Sequence, residues 1–168
     1  MITKKKLFHA ILIVLLVIRI ASCNHKSNNK NIVMNDSQSD AIFPKGDKVP
    51  ADNFTGTAWV NRLVPKDETG NYSIGNVTFE AGARTNWHTH PAGQILLVTD
   101  GKGWYQEKGK SARSISKGDV VVIPSNTEHW HGAAKNSSLT HIAITNAKDG
   151  GVKWLKPVTD EEYNAVNQ

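Results

Sequence analysis

His88 and His90 are separated by one residue and followed four positions later by Gln94, whose side chain ends in an amide. In a β-strand successive side chains point to opposite faces, so the two imidazoles share a face. Imidazoles that converge in this way, with an amide oxygen in the turn beyond, can grip a divalent transition metal. The same alternation returns at His129 and His131, on either side of Trp130, and His141 adds a further ring. Five of the seven histidines thus lie between residues 88 and 141, with only His9 and His25 outside. One such pair on a strand is commonplace; two pairs and a fifth ring in a single window point to a metal site.

The elements that must hold these rings are short. Apolar, alternating runs occur at residues 54–63, 73–80, 85–90, 94–99, 103–107, 112–116, 120–124, 129–133 and 139–145, with Gly, Pro, Asn and Asp between them. Nine strands at this spacing, without a sustained helical period, predict an all-β sandwich or barrel. Thr159 and Glu162 match a capping box, so a short helix is expected over residues 163–166. Asp160, Glu161 and Glu162 fall in its first turn, where negative charge suits the helix dipole. Alternation puts Gln94, Leu96 and Val98 on one face, His129 and His131 on one face with Trp130 opposite, and His141, Ala143 and Thr145 opposite Ile142 and Ile144. The expected result is a mostly apolar pocket in which a few polar groups converge, the usual form of a small-molecule site. Arg84 reads as a surface or ion-pair residue without chemistry. Trp59, Trp87, Trp104 and Trp130 suit a core or an interface.

The first 23 residues read as a secretory signal: Lys4, Lys5 and Lys6 precede an apolar run over residues 7–18. That run falls short of the ~20 residues of a membrane span. Ile20, Ala21, Ser22 and Cys23 resemble a bacterial lipobox, which implies a lipid anchor on Cys23 and a place in the cell envelope. Cys23 is the only cysteine, so no disulfide framework accounts for it. Residues 24–50 are rich in Asn, Ser, Lys and Asp and read as a flexible tether, leaving residues 51–168 as one domain. Lys4, Lys5, Lys6 and Arg19 leave with the signal, so the 20 basic residues fall to 16 against 15 acidic ones. A near-neutral mature chain gives no reason to expect nucleic acid as a partner.

Gly82, His88, His90, Gln94 and Gly101, followed by Gly118, Asp119, Pro124 and His129, resemble the two motifs of the cupin superfamily. The resemblance implies a single-domain double-stranded β-helix, or jelly-roll barrel, closed by the short C-terminal helix. Three positions depart from the superfamily pattern: Gln94 replaces the usual Glu, Asn126 the usual Gly and Ala133 the usual Asn. Residues 52–57, 79–90, 128–134, 139–144 and 158–163 are similar to the bacterial cupin hydroxynitrile lyases, and the likeness extends from about residue 51 to 165. That family implies Mn(II) and the reversible cleavage of (R)-cyanohydrins such as mandelonitrile. Carried onto this chain, it implies His88, His90, Gln94 and His129 as metal ligands and His131 as general base. It further implies His141 as a second pocket histidine, Thr57 and Ala58 as pocket-lining residues, and a homo-oligomer.

Three imidazoles and an amide are all neutral, so a divalent ion keeps its full charge and its trivalent state is disfavoured. Both effects favour Lewis-acid over redox chemistry on a small-molecule substrate. Imidazole also accepts Fe(II) and Zn(II), so manganese rests on the resemblance alone. Three other readings stay open: a cupin lyase or isomerase for a sugar acid or another hydroxy or keto compound, a dioxygenase, and a non-catalytic envelope binding module. The first requires inward-pointing cations to hold a carboxylate, and few Lys or Arg are expected to point inward.

Overall fold

The fold is given by a computed structural model that describes residues 41–64, 70–148 and 150–166. The expected signal, Cys23 and most of the tether lie outside the described residues. In chain order the elements are β1 (Asp47–Lys48), a 3-10 turn at Ala51–Asn53, β2 (Phe54–Thr55), β3 (Ala58–Val64), β4 (Tyr72–Phe79), β5 (Arg84–Thr85), β6 (His88–Thr89) and β7 (Gln94–Glu107). They continue with β8 (Arg113–Ser116), β9 (Val120–Ile123), β10 (His129–Ala133), β11 (Leu139–Asn146), β12 (Lys153–Trp154) and α1 (Asp160–Val166). The strands pair antiparallel in the order β1-β3-β4-β11-β7-β10-β5-β2. β8 and β9 join β7, and β12 joins β6. The result is a curled, mostly β half-barrel with one short helix, the jelly-roll class expected.

β7 corrects one expectation and explains the curl. Asp100 and Gly101 read as a turn between two strands, yet residues 94–107 form one strand that passes through the bend. Its first half pairs with β9 and β11, its second half with β8 and β10, so one strand serves both sides of the half-barrel. Gly101 makes the bend feasible: its φ is +75°, and a Cβ there would lie 2.0 Å from the Ser138 carbonyl oxygen. Two other expected strands, 54–63 and 85–90, each divide into two pieces. β1 and β12 were not foreseen; Asp47–Lys48 fall in the stretch read as tether and pair with β3.

Two apolar clusters lie on opposite sides of the histidine strands. Phe79, Leu96, Val98, Ile115, Val121, Ile123 and Leu139 fill the interior. Trp87, Trp130, Val158 and Tyr163 pack outside it, under the C-terminal segment. The strand alternation therefore sends His129 and His131 inward and Trp130 outward, as expected. Helix α1 starts with a capping box: the Thr159 N–H donates to Glu162 Oε2 at 2.9 Å and the Glu162 N–H to Thr159 Oγ1 at 3.1 Å.

Arg84 is an ion-pair residue, but not a surface one. Its side chain is 5 % exposed and pairs with Asp160 at 2.6 Å, while Asp160 itself is 85 % exposed. The guanidinium also donates to the Val158 carbonyl at 3.1 and 3.2 Å and lies 4.5 Å from the Tyr163 ring centre. It fastens the C-terminal segment across β5. Most of its worth lies in the buried carbonyl contact and the ring, since an ion pair with a wet carboxylate contributes little. Arg84→Ala is expected to lower unfolding free energy by about 2–3 kcal/mol. Asp160→Ala should lower it by less than about 1 kcal/mol. Urea titration of both variants measures the difference; equal losses would contradict this division.

Candidate metal centre

All five histidines of the window are buried, with exposures of 0–5 %. β6 and β10 pair so that His88 and His129 face each other in register, with ring centres 4.1 Å apart. His88, His129 and His131 each offer a ring nitrogen, and the three nitrogens lie within 4.8 Å of one another. This three-histidine cluster fits a divalent metal site. His90 stands next to it, 5.2 Å from the His88 ring and 5.7 Å from the His129 ring. Gln94, at the start of β7, directs its Oε1 to within 3.4 Å of His129 Nε2.

The residues fit a cation for three reasons. His88 Nδ1 lies 2.9 Å from the Asn86 carbonyl oxygen, and His129 Nδ1 lies 2.8 Å from that of Thr127. A carbonyl only accepts, so each ring carries its proton on Nδ1 and presents the Nε2 lone pair to the cavity. Gln94 donates its amide NH2 to Thr145 Oγ1 at 3.2 Å, which turns the amide oxygen towards that lone pair. Two acceptors facing each other repel, and a cation shared between them would relieve the contact. Finally, both ring nitrogens of His90 are buried with no hydrogen-bond partner among the described residues. An unpaired buried polar group is expensive unless a ligand satisfies it.

His131 and His141 form a second unit. His131 Nδ1 lies 3.2 Å from His141 Nε2, and the Phe79 ring centre lies 5.7 Å from the centres of both rings, perpendicular to the His131 ring and tilted by 38° against the His141 ring. Burial is the main cause that lowers the pKa of every ring in the cluster, and the neighbouring imidazoles deepen the effect on His88 and His131. His88 and His131 are held well below the ordinary 6.5, and His90 and His141 fall to about 4. At neutral pH the rings are therefore uncharged, able to ligate a metal or accept a proton.

The cluster opens into a cavity of about 470 Å³, a normal size for a small-molecule site. His88, His90, Gln94, His131 and His141 line it, as do Ala143 and Thr145 from β11. Thr57 and Ala58 do not; Ala58 is buried in the interior cluster, and Val60 and Arg62 further along β3 reach the cavity instead. Phe54, Trp154 and Arg62 were absent from the sequence reading. Trp154 arrives because β12 pairs with β6 opposite His88, which puts the two rings 4.9 Å apart. Only the alternating pattern of residues 152–155 hinted at such a strand.

The pKa directions have a consequence for stability. Below pH 6.5 the unfolded chain binds protons that the folded chain refuses. Stability is therefore complete above that value and falls as pH drops towards about 4, where His90 and His141 protonate in the folded chain. Thermal melts of the metal-free protein should show a constant midpoint above neutrality and a falling one across that window; a flat profile would contradict the burial argument. Metal analysis after desalting tests the ligand set. His88→Ala and His129→Ala are expected to lose the ion or weaken its hold, and the comparison of His90→Ala, Gln94→Ala and His131→Ala decides which of these neighbours completes the set.

Comparison with known proteins agrees with this geometry. Residues 75–145 match the family described as a cupin domain. An (R)-mandelonitrile lyase from Granulicella tundricola is 48 % identical over 117 residues, which span 69 % of this chain and 89 % of that protein. A cupin-like protein from Thermotoga maritima, known by crystal structure, is 51 % identical with a TM-score of 0.75, covering 77 % of this chain and 98 % of its own. A cupin 2 conserved barrel domain protein from Rhodopseudomonas palustris shares the fold alone, at 18 % identity and a TM-score of 0.56 over 69 % of this chain and 78 % of its own. Its half-barrel, its buried three-histidine cluster and these relatives together make this chain a member of the cupin family.

Proposed function

We propose that this protein is a metal-dependent carbon–carbon lyase that reversibly cleaves (R)-cyanohydrins of the mandelonitrile kind into an aldehyde and hydrogen cyanide. The observation that carries the reading is a buried, neutral His131 lining the cavity beside the His88–His129 pair, with His141 behind it. The 48 % identity to a protein named (R)-mandelonitrile lyase supports the reaction class. In this proposal His88, His90, Gln94 and His129 hold a divalent ion, Mn(II) by resemblance, with Fe(II) and Zn(II) as the competing choices. When bound, such an ion supplies Lewis-acid polarisation and makes a nearby hydroxyl more acidic.

The chain's own residues would manage the proton. In this reading His131 Nδ1 is the donor across the 3.2 Å contact to His141 Nε2, which leaves the Nε2 lone pair of His131 free for the substrate hydroxyl. His141 then carries its proton on Nδ1 and acts as a positioning residue that fixes the tautomer of His131. As His131 takes the hydroxyl proton, the carbonyl forms, and the electron pair of the carbon–carbon bond departs with the nitrile as cyanide. The same proton returns to cyanide, which leaves as hydrogen cyanide. Phe54, Val60, Val77 and Trp154 give the organic part an apolar wall and keep water from the departing anion. The proposal extends to a lipid anchor at Cys23 on the cell envelope and to assembly as a homo-oligomer.

Benzaldehyde release from racemic mandelonitrile tests it, using the domain reconstituted separately with Mn(II), Fe(II) and Zn(II). Manganese-dependent, enantioselective cleavage is expected, lost in His131→Ala. His141→Ala should reduce turnover by about 10–100-fold with a smaller change in KM. Metal-bound protein with no cleavage above free metal would refute the lyase reading.

A further inference from the structure

The inner face of the half-barrel is arranged in rows set by strand register. His141, Val77 and Val60 stand opposite one another across β11, β4 and β3, and the next inward row contains Ala143, Gly75 and Arg62. Two residues separate the rows on each strand, about 7 Å at strand rise. Arg62 therefore sits one row beyond the histidines, on the cavity wall. A register shift between Arg62 and Val64 ends the regular pairing there, the kind of irregularity that re-aims a side chain beside a site.

Three features set Arg62 apart. Its row-mates are Gly75 and Ala143, which leave the space beside its stem open. The cavity wall grades from the buried histidines to exposed Arg62, Gly151 and Val152, so Arg62 stands at the mouth. Among the described residues it makes no hydrogen bond or ion pair, and no Asp, Glu or Lys lines the cavity with it. Few Lys or Arg were expected from the sequence to point inward, and the tertiary structure brings Arg62 to the cavity wall. A guanidinium without a partner among the described residues, at the mouth of a pocket of neutral groups, is a positive anchor whose planar fork matches a carboxylate.

We propose that the natural substrate of this site carries a carboxylate, which pairs with Arg62 while the reacting hydroxyl or carbonyl carbon lies among the histidines. The substrate class is a small hydroxy- or oxo-compound with an acid group at the far end of a short apolar spacer. The spacer lies along Val60, Val77 and Trp154. This inference rests on the preceding reading only for the identity of the bond cleaved; the anchor itself is independent of it.

The test uses metal-reconstituted protein and two paired probes. Calorimetry compares 4-(hydroxymethyl)benzoate with benzyl alcohol, neither of which can be cleaved, and kinetics compares the cyanohydrin of 4-formylbenzoate with mandelonitrile. The carboxylated member of each pair is expected to be favoured about tenfold, a preference lost in Arg62→Gln and partly kept in Arg62→Lys. High salt should erode it, since the pair is at the surface. Equal binding of both probes by the native protein, or a preference that survives Arg62→Gln, would overturn the proposal, as would tighter binding of benzyl phosphate than of the carboxylate. If neither cyanohydrin is cleaved, the lyase reading fails while the calorimetry still decides the role of Arg62.

Discussion

The rest of this structure depends on keeping five imidazoles uncharged in one buried cluster. Protonating any of them means placing a charge in a poorly solvated interior next to four similar rings, and the lowered pKa values of His88, His90, His131 and His141 express that cost. Neutrality alone does not make the cluster stable, because each ring retains a donor and an acceptor. The fold meets this demand with the Asn86 and Thr127 carbonyls for His88 and His129, and with His141 for His131. It leaves both nitrogens of His90 and Nδ1 of His141 without a partner among the described residues, and sets the Gln94 oxygen against the His129 lone pair. A divalent cation held there would take one lone pair of His90 and relieve the contact between the two acceptors, adding to the stability of the cluster.

Such a cluster requires stiff support on both sides. Inside, Phe79 touches His131 and His141 while Leu96, Val98 and Leu139 fill the space below. Outside, Trp130 alternates with His129 and His131 on β10, Trp87 precedes His88 in the bend before β6, and both bury their rings under the C-terminal segment. Arg84 and the Thr159–Glu162 cap fix that segment in place. Trp130, between His129 and His131, is thus the other half of the arrangement: its buried outward ring anchors the strand that holds the two imidazoles inward.

The cavity changes character along its length. Its buried end offers uncharged nitrogen lone pairs, its middle is apolar, and its mouth carries one guanidinium. An uncharged interior lets a divalent ion keep its full charge, and in the proposed reaction the apolar wall would keep water from the departing anion. On β11, His141, Ala143 and Thr145 mark successive inward rows, opposite Val77, Gly75 and Ser73 of β4.

Much of the fold and the core of the site were legible in the sequence, because both depend on local regularities. Strand alternation has a period of two, so the inward set Gln94, Leu96, Val98, His129, His131, His141, Ala143 and Thr145 could be read directly from spacing. The capping box at Thr159 is likewise a contact between residues three apart. Asn126 shows both the reach and the limit of such reading. It stands where a glycine is usual, and its φ of +57° supplies the reason, since asparagine tolerates the left-handed region better than most residues. What the sequence could not determine was anything fixed by pairing between distant strands. The unbroken course of β7 through Gly101 depends on Ser138, the buried place of Arg84 on Val158, and the arrival of Trp154 beside His88 on a two-residue strand. Arg62 resembled any surface arginine until the register of β3 against β4 set it one row beyond the histidines. Composition and spacing determined which groups the site contains; the long-range hydrogen bonding of the sheet decided how they face one another.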